Sequence, residues 1–525
     1  MSNSAQTSAS SRIAALLDEN SFVEVGAYIT ARSTDFNMTE QETPADGVVT
    51  GYGTIGGCLV YVYSQDASVL GGSMGEMHAK KICNIYSMAM KMGAPVIGLV
   101  DCAGLRLQEA TDALDGFGKL YLSQTMASGV IPQITAIFGT CGGGMAVSAG
   151  ITDFTFMEEK SGKLFVNSPN AIDGNYKEKC DTSSADFQSR ESGLADFTGD
   201  EASIIAQIRA LVSILPANNE DDMSYGECQD DLNRICDNIE GCTGDTALAL
   251  TLISDNSFFM EVKKNYEPSM VTGFIRLNGT TIGCVANRTE IYENGEKKET
   301  FEPVLSGKGC DKATDFIHFC DAFNIPVLTL VNVKGYKAKM CSERRIAKAA
   351  ARLTYAYANA SVPKVTVIVK EAFGSAYLTM GSKSIGADVV YAWPGAVIGM
   401  MNPSEAVKIM YAKEIAASGD AAALINEKTA EYTALQSSAV AAAKRGYVDD
   451  IIKAGETRQR VIAAFEMLFT KREDRPSKKH LDNIKHKDKG GYFFTDDEDP
   501  IHIPAELEVI EKALNITTIQ YENFQ

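Results

Sequence analysis

The chain has 525 residues, 45% hydrophobic and 22% charged, with 68 acidic against 49 basic side chains and a formal net charge of −19. That length makes about two to four domains, and the composition is that of a globular protein with sizeable cores rather than a disordered tail or a fibre. The negative balance excludes a nucleic-acid binder, because phosphate recognition needs clustered lysine and arginine.

In chain order, the elements come twice. SSRIAALLDENSFVEV, ending at Val25, returns as LALTLISDNSFFMEV, ending at Val262; VVTGYGTIGGCLV from Val48 returns as MVTGFIRLNGTTI from Met270. After the β-rich run Val60–Ser64, a helical stripe of Ile82, Ile85, Ala89 and Met92 stops at Gly93, and Pro95 opens a buried strand to Asp101. Its counterpart is the stripe Phe316, Cys320 and Phe323, followed by Pro326 and a strand over Val327–Val331. A strand over Ile131–Phe138, a turn at Gly142–Gly144, a helical stretch over Met145–Ile151 and a strand over Phe154–Met157 follow in the first copy. Val365–Val369, Gly374–Ala376 and Ala387–Trp393 repeat them in the second. The proline pairs 95/326 and 132/363 are both separated by 231 residues, which marks two copies of one domain.

The alternation of strand and helix predicts an α/β fold. The acidic, apolar-poor stretch Pro216–Asp245 is expected to be an exposed linker, giving an N-terminal domain over 1–240 and a C-terminal domain over 241–486. A charged spacer from Asp474 leads to an acidic tail over 487–525, in which AELEVIEKALN has the pattern of a short amphipathic helix. The most apolar stretch, Ser128–Phe154, is broken by Pro132 and by glycines, so it reads as strand, turn and helix rather than a membrane span. The first residues, MSNSAQTSASS, lack the basic and apolar parts of a signal sequence. Twelve cysteines stand singly without a CxxC pair, as reduced cytoplasmic thiols do.

Chemistry is expected at the strand-to-helix junctions. A glycine pair opening a helix presents unpaired N–H groups and lets a substrate oxygen approach without a Cβ in the way. Gly142-Gly143-Gly144-Met145 and Phe373-Gly374-Ser375-Ala376 both fit an oxyanion hole, in which one donor contributes about 3–4 kcal/mol to a transition state. A glycine cluster after a strand is a weak signal alone. Its recurrence at the same place in both copies is a much stronger one.

GVVTGYGTI, GGSMGEMHAKKI, LQEATDALDGFGKL, ASGVIPQI, ITDFTFM, HFCDAFNIPV, YAYANASVPKVTV, SIGADVVYAWP and TKREDRPSKKH together resemble the biotin-dependent acyl-CoA carboxyltransferase family, collinearly from about Ser11 to His480. That family holds the carboxyltransferase β-subunits of propionyl-CoA and acetyl-CoA carboxylases, methylmalonyl-CoA decarboxylase α-subunits and the methylmalonyl-CoA transcarboxylase core. The resemblance implies two tandem crotonase-like domains, each a ClpP/crotonase ββα superhelix, assembled as a homohexamer (a trimer of dimers). It implies carboxyl transfer between carboxybiotin, carried on a separate subunit, and the α-carbon of a short acyl-CoA, propionyl/methylmalonyl or acetyl/malonyl. The implied partners are a biotin carboxyl carrier protein with biotin carboxylase, or a membrane decarboxylase subunit; no metal, nucleic acid or membrane insertion of this chain is expected. Gly143 and Gly144 map onto the hole for the thioester enolate, and Ser375 and Ala376 onto that for the biotin ureido oxygen. Gly104, Arg106, Gly374, Tyr377 and Leu378 are the expected substrate-binding positions. Two developing charges call for two donor pairs. The α-proton can pass to the biotin nitrogen itself, and the sparse histidines of the two copies, His78 and His318, agree with a reaction that needs no protein base.

Other readings compete. Ala89-Met90-Lys91-Met92 spells a biotin-attachment motif, but on an amphipathic helix rather than a hairpin turn. Gly71-Gly72-Ser73-Met74-Gly75 spells G-x-S-x-G, yet a serine hydrolase also needs an acid and a downstream histidine, and His318 sits in an apolar stripe. Arg106 either reaches the site or makes a surface ion pair, Leu378 either meets the acyl chain or packs in the core, and Trp393 packs at a strand end. The chain departs from the family pattern at Cys102-Ala103-Gly104-Leu105-Arg106, at Ser375, at Leu164–Asn170 and at Arg344–Arg352. These departures leave open the acyl chain, the direction of flux and a second function, that of a catalytically degenerate paralogue acting as a structural or regulatory subunit. Retention of both donor pairs favours the enzyme.

Overall fold

The computed structural model describes residues 8–175, 179–221 and 226–473; the expected tail over 487–525, with its amphipathic segment, lies outside them. Two eight-stranded sheets repeat one topology. In the first, the strands lie in the order Val23–Glu24, Val48–Ile55, Cys58–Gln65, Val96–Cys102, Gln133–Gly142, Phe154–Glu158 and Phe197–Gly199, with Lys163–Phe165 added beside Gln133–Gly142. In the second, the order is Phe259–Val262, Met270–Leu277, Thr280–Asn287, Val327–Val333, Lys364–Phe373, Val389–Ala392 and Asp450–Ile451, with Val397–Gly399 beside Lys364–Phe373. Each sheet opens with an antiparallel hairpin and continues in parallel. Helices Glu76–Met92, Ala110–Ala127 and Gly144–Ile151 make the crossovers of the first copy, and Gly307–Ala322, Ile346–Asn359 and Gly374–Thr379 those of the second.

Local chemistry explains these elements. The central parallel strands are apolar along their whole length because helices cover both faces. The helix Glu76–Met92 buries Ile82, Ile85 and Ala89, then stops where Gly93 adopts φ 61°. Met92, expected on the buried stripe, is exposed, because the buried face ends with Ala89 one turn before the cap. Pro95, Pro132, Pro326 and Pro363 stand at strand entrances, where a missing N–H costs no ladder bond. Their carbonyls still accept from Tyr61, Val96, Gly283 and Val327.

Charged contacts are duplicated as well. Lys81 and Lys312 are 231 residues apart. The Lys81 ammonium donates to the carbonyls of Ala45 and Val48, and that of Lys312 to those of Lys263, Tyr266 and Met270. Each ties a crossover helix to the start of its hairpin. Arg209 donates to the Leu16 carbonyl and pairs with Asp18 at 2.8 Å; Arg458 donates to the Ile253 carbonyl and pairs with Asp255 at 2.7 Å. In both copies the last helix is thereby clamped to the first.

The copies share a core. Phe154 of the first sheet packs edge-on against Phe319 at 4.7 Å and reaches Phe274 at 6.2 Å, both from the second copy. The expected exposed linker is partly a packing element instead: Cys236 and Ile239 are buried with Leu250 and Val271, giving apolar cover to the second hairpin.

His78 is fully buried, with Nδ1 2.9 Å from the Asp46 carbonyl and Nε2 3.1 Å from the Gln65 side chain. Burial pulls its pKa from 6.5 down to about 3. The folded imidazole therefore stays neutral where the unfolded one takes up a proton. Stability is expected to fall as pH drops from 6.5 towards 3, by up to about 1.4 kcal/mol per unit. His78→Gln should flatten that limb of a plot of denaturation midpoint against pH; an unaltered limb would assign the slope to other groups.

Candidate functional site

In the first copy, strand Gln133–Gly142 passes into helix Gly144–Ile151 through Gly143, at φ 58° and ψ −122°, a backbone region open to glycine alone. The short strand Lys163–Phe165 pairs beside this junction, and its Phe165 carbonyl accepts the Gly143 N–H at 2.9 Å. Of the two expected donors, Gly143 and Gly144, that bond engages the first. Gly143 has its N–H engaged, so the groups with no intrahelical acceptor are those of Gly144 and Met145, the first two residues of the helix.

The second copy has the same construction. Strand Lys364–Phe373 enters helix Gly374–Thr379 through Gly374, at φ 61°. Gly143 and Gly374 are again 231 residues apart, so Ser375 and Ala376 are the counterparts of Gly144 and Met145. The positive φ falls on Gly374 and Ser375 lies within the helix, so a serine there adds no left-handed strain.

The two glycines of the first junction differ in surroundings. Among the described residues, a Cβ on Gly143 would meet nothing within 4 Å, so this peptide borders open space. A Cβ on Gly144 would lie 2.9 Å from the Tyr121 hydroxyl and 3.0 Å from the Phe117 ring. Tyr121 Oη donates to the Gly144 carbonyl at 2.7 Å, and Thr379 Oγ1 donates to the Ser375 carbonyl at 2.9 Å. Sequence reasoning missed both hydroxyls, because each lies on a helix with an ordinary amphipathic pattern; the one hint was that Gly144 carries no side chain.

The remaining candidates divide. Gly104, at φ 110°, brings its turn against the first junction, where a Cβ would stand 3.3 Å from the Gly142 carbonyl. Phe165, whose carbonyl holds the Gly143 N–H, also lines an open cavity of about 630 Å³ with Ser168, Pro169, Asn170, Lys179 and Cys180. Arg106 is neither at the site surface nor in a surface ion pair. It is 1% exposed, with Nη1 at 2.6 Å from Asp46 and 2.8 Å from Glu109 and Nη2 donating to the Ser73 carbonyl at 2.8 Å. Both Nη atoms are held in a buried cluster under the Gly104 turn, which places the side chain in the interior rather than at the expected surface. Burial pushes the Asp46 carboxyl above its usual range, and Arg106 opposes that. Tyr377 is likewise a core residue, 8% exposed, its phenol pushed up to about 12 by burial. Leu378 on the same short helix is 41% exposed, so the packed alternative does not hold for it.

Ser73 is buried and donates to the Leu70 carbonyl at 2.7 Å, and Lys91 stands in the last turn of a helix. Neither has the setting of a nucleophile or a biotinyl lysine. Trp393 packs at its strand end and donates to Thr457 Oγ1 at 3.0 Å. Among the described residues no group of three or more His, Cys, Asp or Glu is placed to hold a metal ion, and no helix is long and apolar enough to cross a membrane.

The carboxyl transferase domain family matches residues 3–482. The methylmalonyl-CoA decarboxylase α-subunit of Propionigenium modestum is 42% identical over 489 residues, covering 91% of this chain and 93% of the relative. The propionyl-CoA carboxylase β-chain of Roseobacter denitrificans is 40% identical over 485 residues, covering 90% and 92%. Among solved structures, the hexameric transcarboxylase 12S core with methylmalonyl-CoA bound aligns with a TM-score of 0.83 at 37% identity, over 90% of this chain and 91% of that one.

Proposed function

Because the chain belongs to the carboxyl transferase domain family, with its tandem crotonase-like α/β architecture, we propose that it is the carboxyltransferase subunit of a biotin-dependent enzyme. It moves a carboxyl group between carboxybiotin, on a separate carrier, and the α-carbon of propionyl- or methylmalonyl-CoA. The observation that carries this reading is the duplicated junction: a left-handed glycine, at 143 and at 374, opens a helix whose first N–H groups lack intrahelical acceptors.

In the decarboxylating direction the bond between the α-carbon and its carboxylate breaks, and the electron pair moves onto the thioester oxygen as an enolate. When bound, biotin supplies the ureido nitrogen that accepts the carboxyl and gives its proton to the α-carbon. The balance is methylmalonyl-CoA plus biotin to propionyl-CoA plus carboxybiotin. Gly144 and Met145 serve the thioester oxygen, and Ser375 and Ala376 the ureido oxygen. Donors fixed by strand and helix need no reorganisation as charge appears, which is where such groups contribute most. Gly143 and Gly374 keep side chains out of the approach. Gly104 sets the turn beside the first junction, and Leu378 stands exposed on the helix that opens the second, where it meets substrate. The neutral, enclosed His78 takes no part, in keeping with proton transfer between the two substrates.

On the same reading the chain comprises two domains, over 1–240 and 241–486, and works as a homohexamer. Its partners are a biotin carboxyl carrier protein with biotin carboxylase, or a membrane decarboxylase subunit. The test is decarboxylation of methylmalonyl-CoA and malonyl-CoA by the purified chain with free biotin as acceptor. Turnover is expected, faster with methylmalonyl-CoA, the substrate class of the relatives' names. Absence of turnover together with absence of acyl-CoA binding by calorimetry would replace this reading with a structural or regulatory role.

A further inference from the structure

A trans peptide is planar, with its C=O and N–H directed oppositely, so whatever fixes the carbonyl also aims the N–H. The peptide that joins Gly144 to Met145 has its carbonyl held by Tyr121 Oη at 2.7 Å. Tyr121 projects from the helix Ala110–Ala127, its ring 6.0 Å from that of Phe117, and the two rings enclose Gly144 so closely that a Cβ there has no room. In the helical geometry the Met145 N–H then points out of the helix start, towards the junction where Gly143 borders open space.

The second copy reaches the same end by other residues. The Ser375 carbonyl, counterpart of that of Gly144, accepts from Thr379 Oγ1 at 2.9 Å, and Thr379 is in turn 2.8 Å from the Tyr336 hydroxyl. The residue 231 positions after Tyr121 is Arg352, which pairs with Asp311 instead. The hydroxyl on the Ser375 carbonyl is the backward bond of a helical threonine, as at Thr314 and Thr354, whereas the one on the Gly144 carbonyl reaches across from a separate helix.

Resting on the oxyanion reading above, we propose that Tyr121 is a positioning residue for carboxyl transfer, its hydroxyl orienting and polarising the Gly144–Met145 peptide so that the Met145 N–H meets the thioester oxygen as the enolate forms. A hydrogen bond to an amide carbonyl draws electron density through the amide and strengthens its N–H as a donor. The benefit grows with charge on the acceptor, so it belongs to the transition state more than to the bound ground state.

Tyr121→Phe deletes the hydroxyl and keeps the ring. In the full chain, kcat for methylmalonyl-CoA decarboxylation with free biotin is expected to fall roughly three- to tenfold. Affinity for a nitronate acyl-CoA analogue, planar and charged like the enolate, should fall by a similar factor, while the Kd for propionyl-CoA and the thermal midpoint stay at wild-type values. Unchanged kcat and nitronate affinity overturn the proposal, and so does an equal loss of propionyl-CoA and nitronate affinity, which marks a structural role only. A wild-type chain that neither turns over nor prefers the nitronate to propionyl-CoA sinks the oxyanion reading itself; one that does both while Tyr121→Phe matches it sinks the role of Tyr121 alone.

Discussion

Gly143→Ala is expected to lower kcat by about two to three orders of magnitude while the chain stays folded. The substitution is informative because the two usual reasons for losing a glycine separate here. Space is available, since a Cβ at 143 meets nothing within 4 Å among the described residues. Conformation is the obstacle: at φ 58° and ψ −122° an alanine is strained by about 1–3 kcal/mol. Relief of that strain rotates the peptides on either side, breaks the 2.9 Å bond from the Gly143 N–H to Phe165, and swings the Gly144 and Met145 donors off the thioester oxygen. The new methyl also stands in the approach that the glycine leaves clear. Gly374→Ala should act in the same direction, with an added contact 3.1 Å from the Met400 carbonyl. Decarboxylation rate, circular dichroism and thermal midpoint decide the matter. A variant within threefold of wild type in turnover would show that the first junction does not hold the reacting oxygen.

Arg106→Met should destabilise the fold by about 3–5 kcal/mol, seen as a lower midpoint in guanidinium chloride. Asp46 and Glu109 have side chains 0% and 3% exposed, and Arg106 is the cation between them at 2.6 and 2.8 Å. Removing it leaves two facing carboxylates without a counter-charge in a site that already raises the Asp46 carboxyl. The cluster also closes on itself: Asp46 accepts the His78 N–H at 2.7 Å and Glu109 accepts the Glu76 N–H at 2.6 Å, at the start of the crossover helix. Loss of the arginine thus loosens the turn at Gly104 and the helix together. Adding Asp46→Asn and Glu109→Gln should recover much of the loss, because the penalty lies in the orphaned charges rather than in the missing pair. A single-variant cost below about 1 kcal/mol, the range of exposed pairs, would contradict the buried geometry.

The repeat, the alternation of strand and helix and the position of both junctions were legible in the residues, because a shared offset and the period of apolar positions survive without tertiary information. What failed did so for physical reasons. The family resemblance placed the first donor pair on Gly143 and Gly144; the bond that engages the Gly143 N–H comes from Lys163–Phe165, a strand too short to show any periodicity. Arg106 read as a surface or ligand residue because burial depends on Asp46, sixty residues earlier, and no local pattern joins the two. Lys81 and Lys312 follow the offset faithfully, yet a lysine on a helix reads as solvated until the backbone carbonyls that surround it are known. Apart from the missing side chain at Gly144, Tyr121 and Thr379 left no trace for the same reason: their partners are carbonyls, which every residue has.

The arginine clamps have an evolutionary corollary. Arg209 with Asp18 and Arg458 with Asp255 bring the end of each copy back to its own beginning. A unit whose termini meet can be copied in tandem without rewiring any strand order, since the new unit starts beside the place where the old one stops. Descent of this chain from a single ancestral gene therefore required little more than a spacer, and the two halves were afterwards free to diverge in chemistry while their closures were kept.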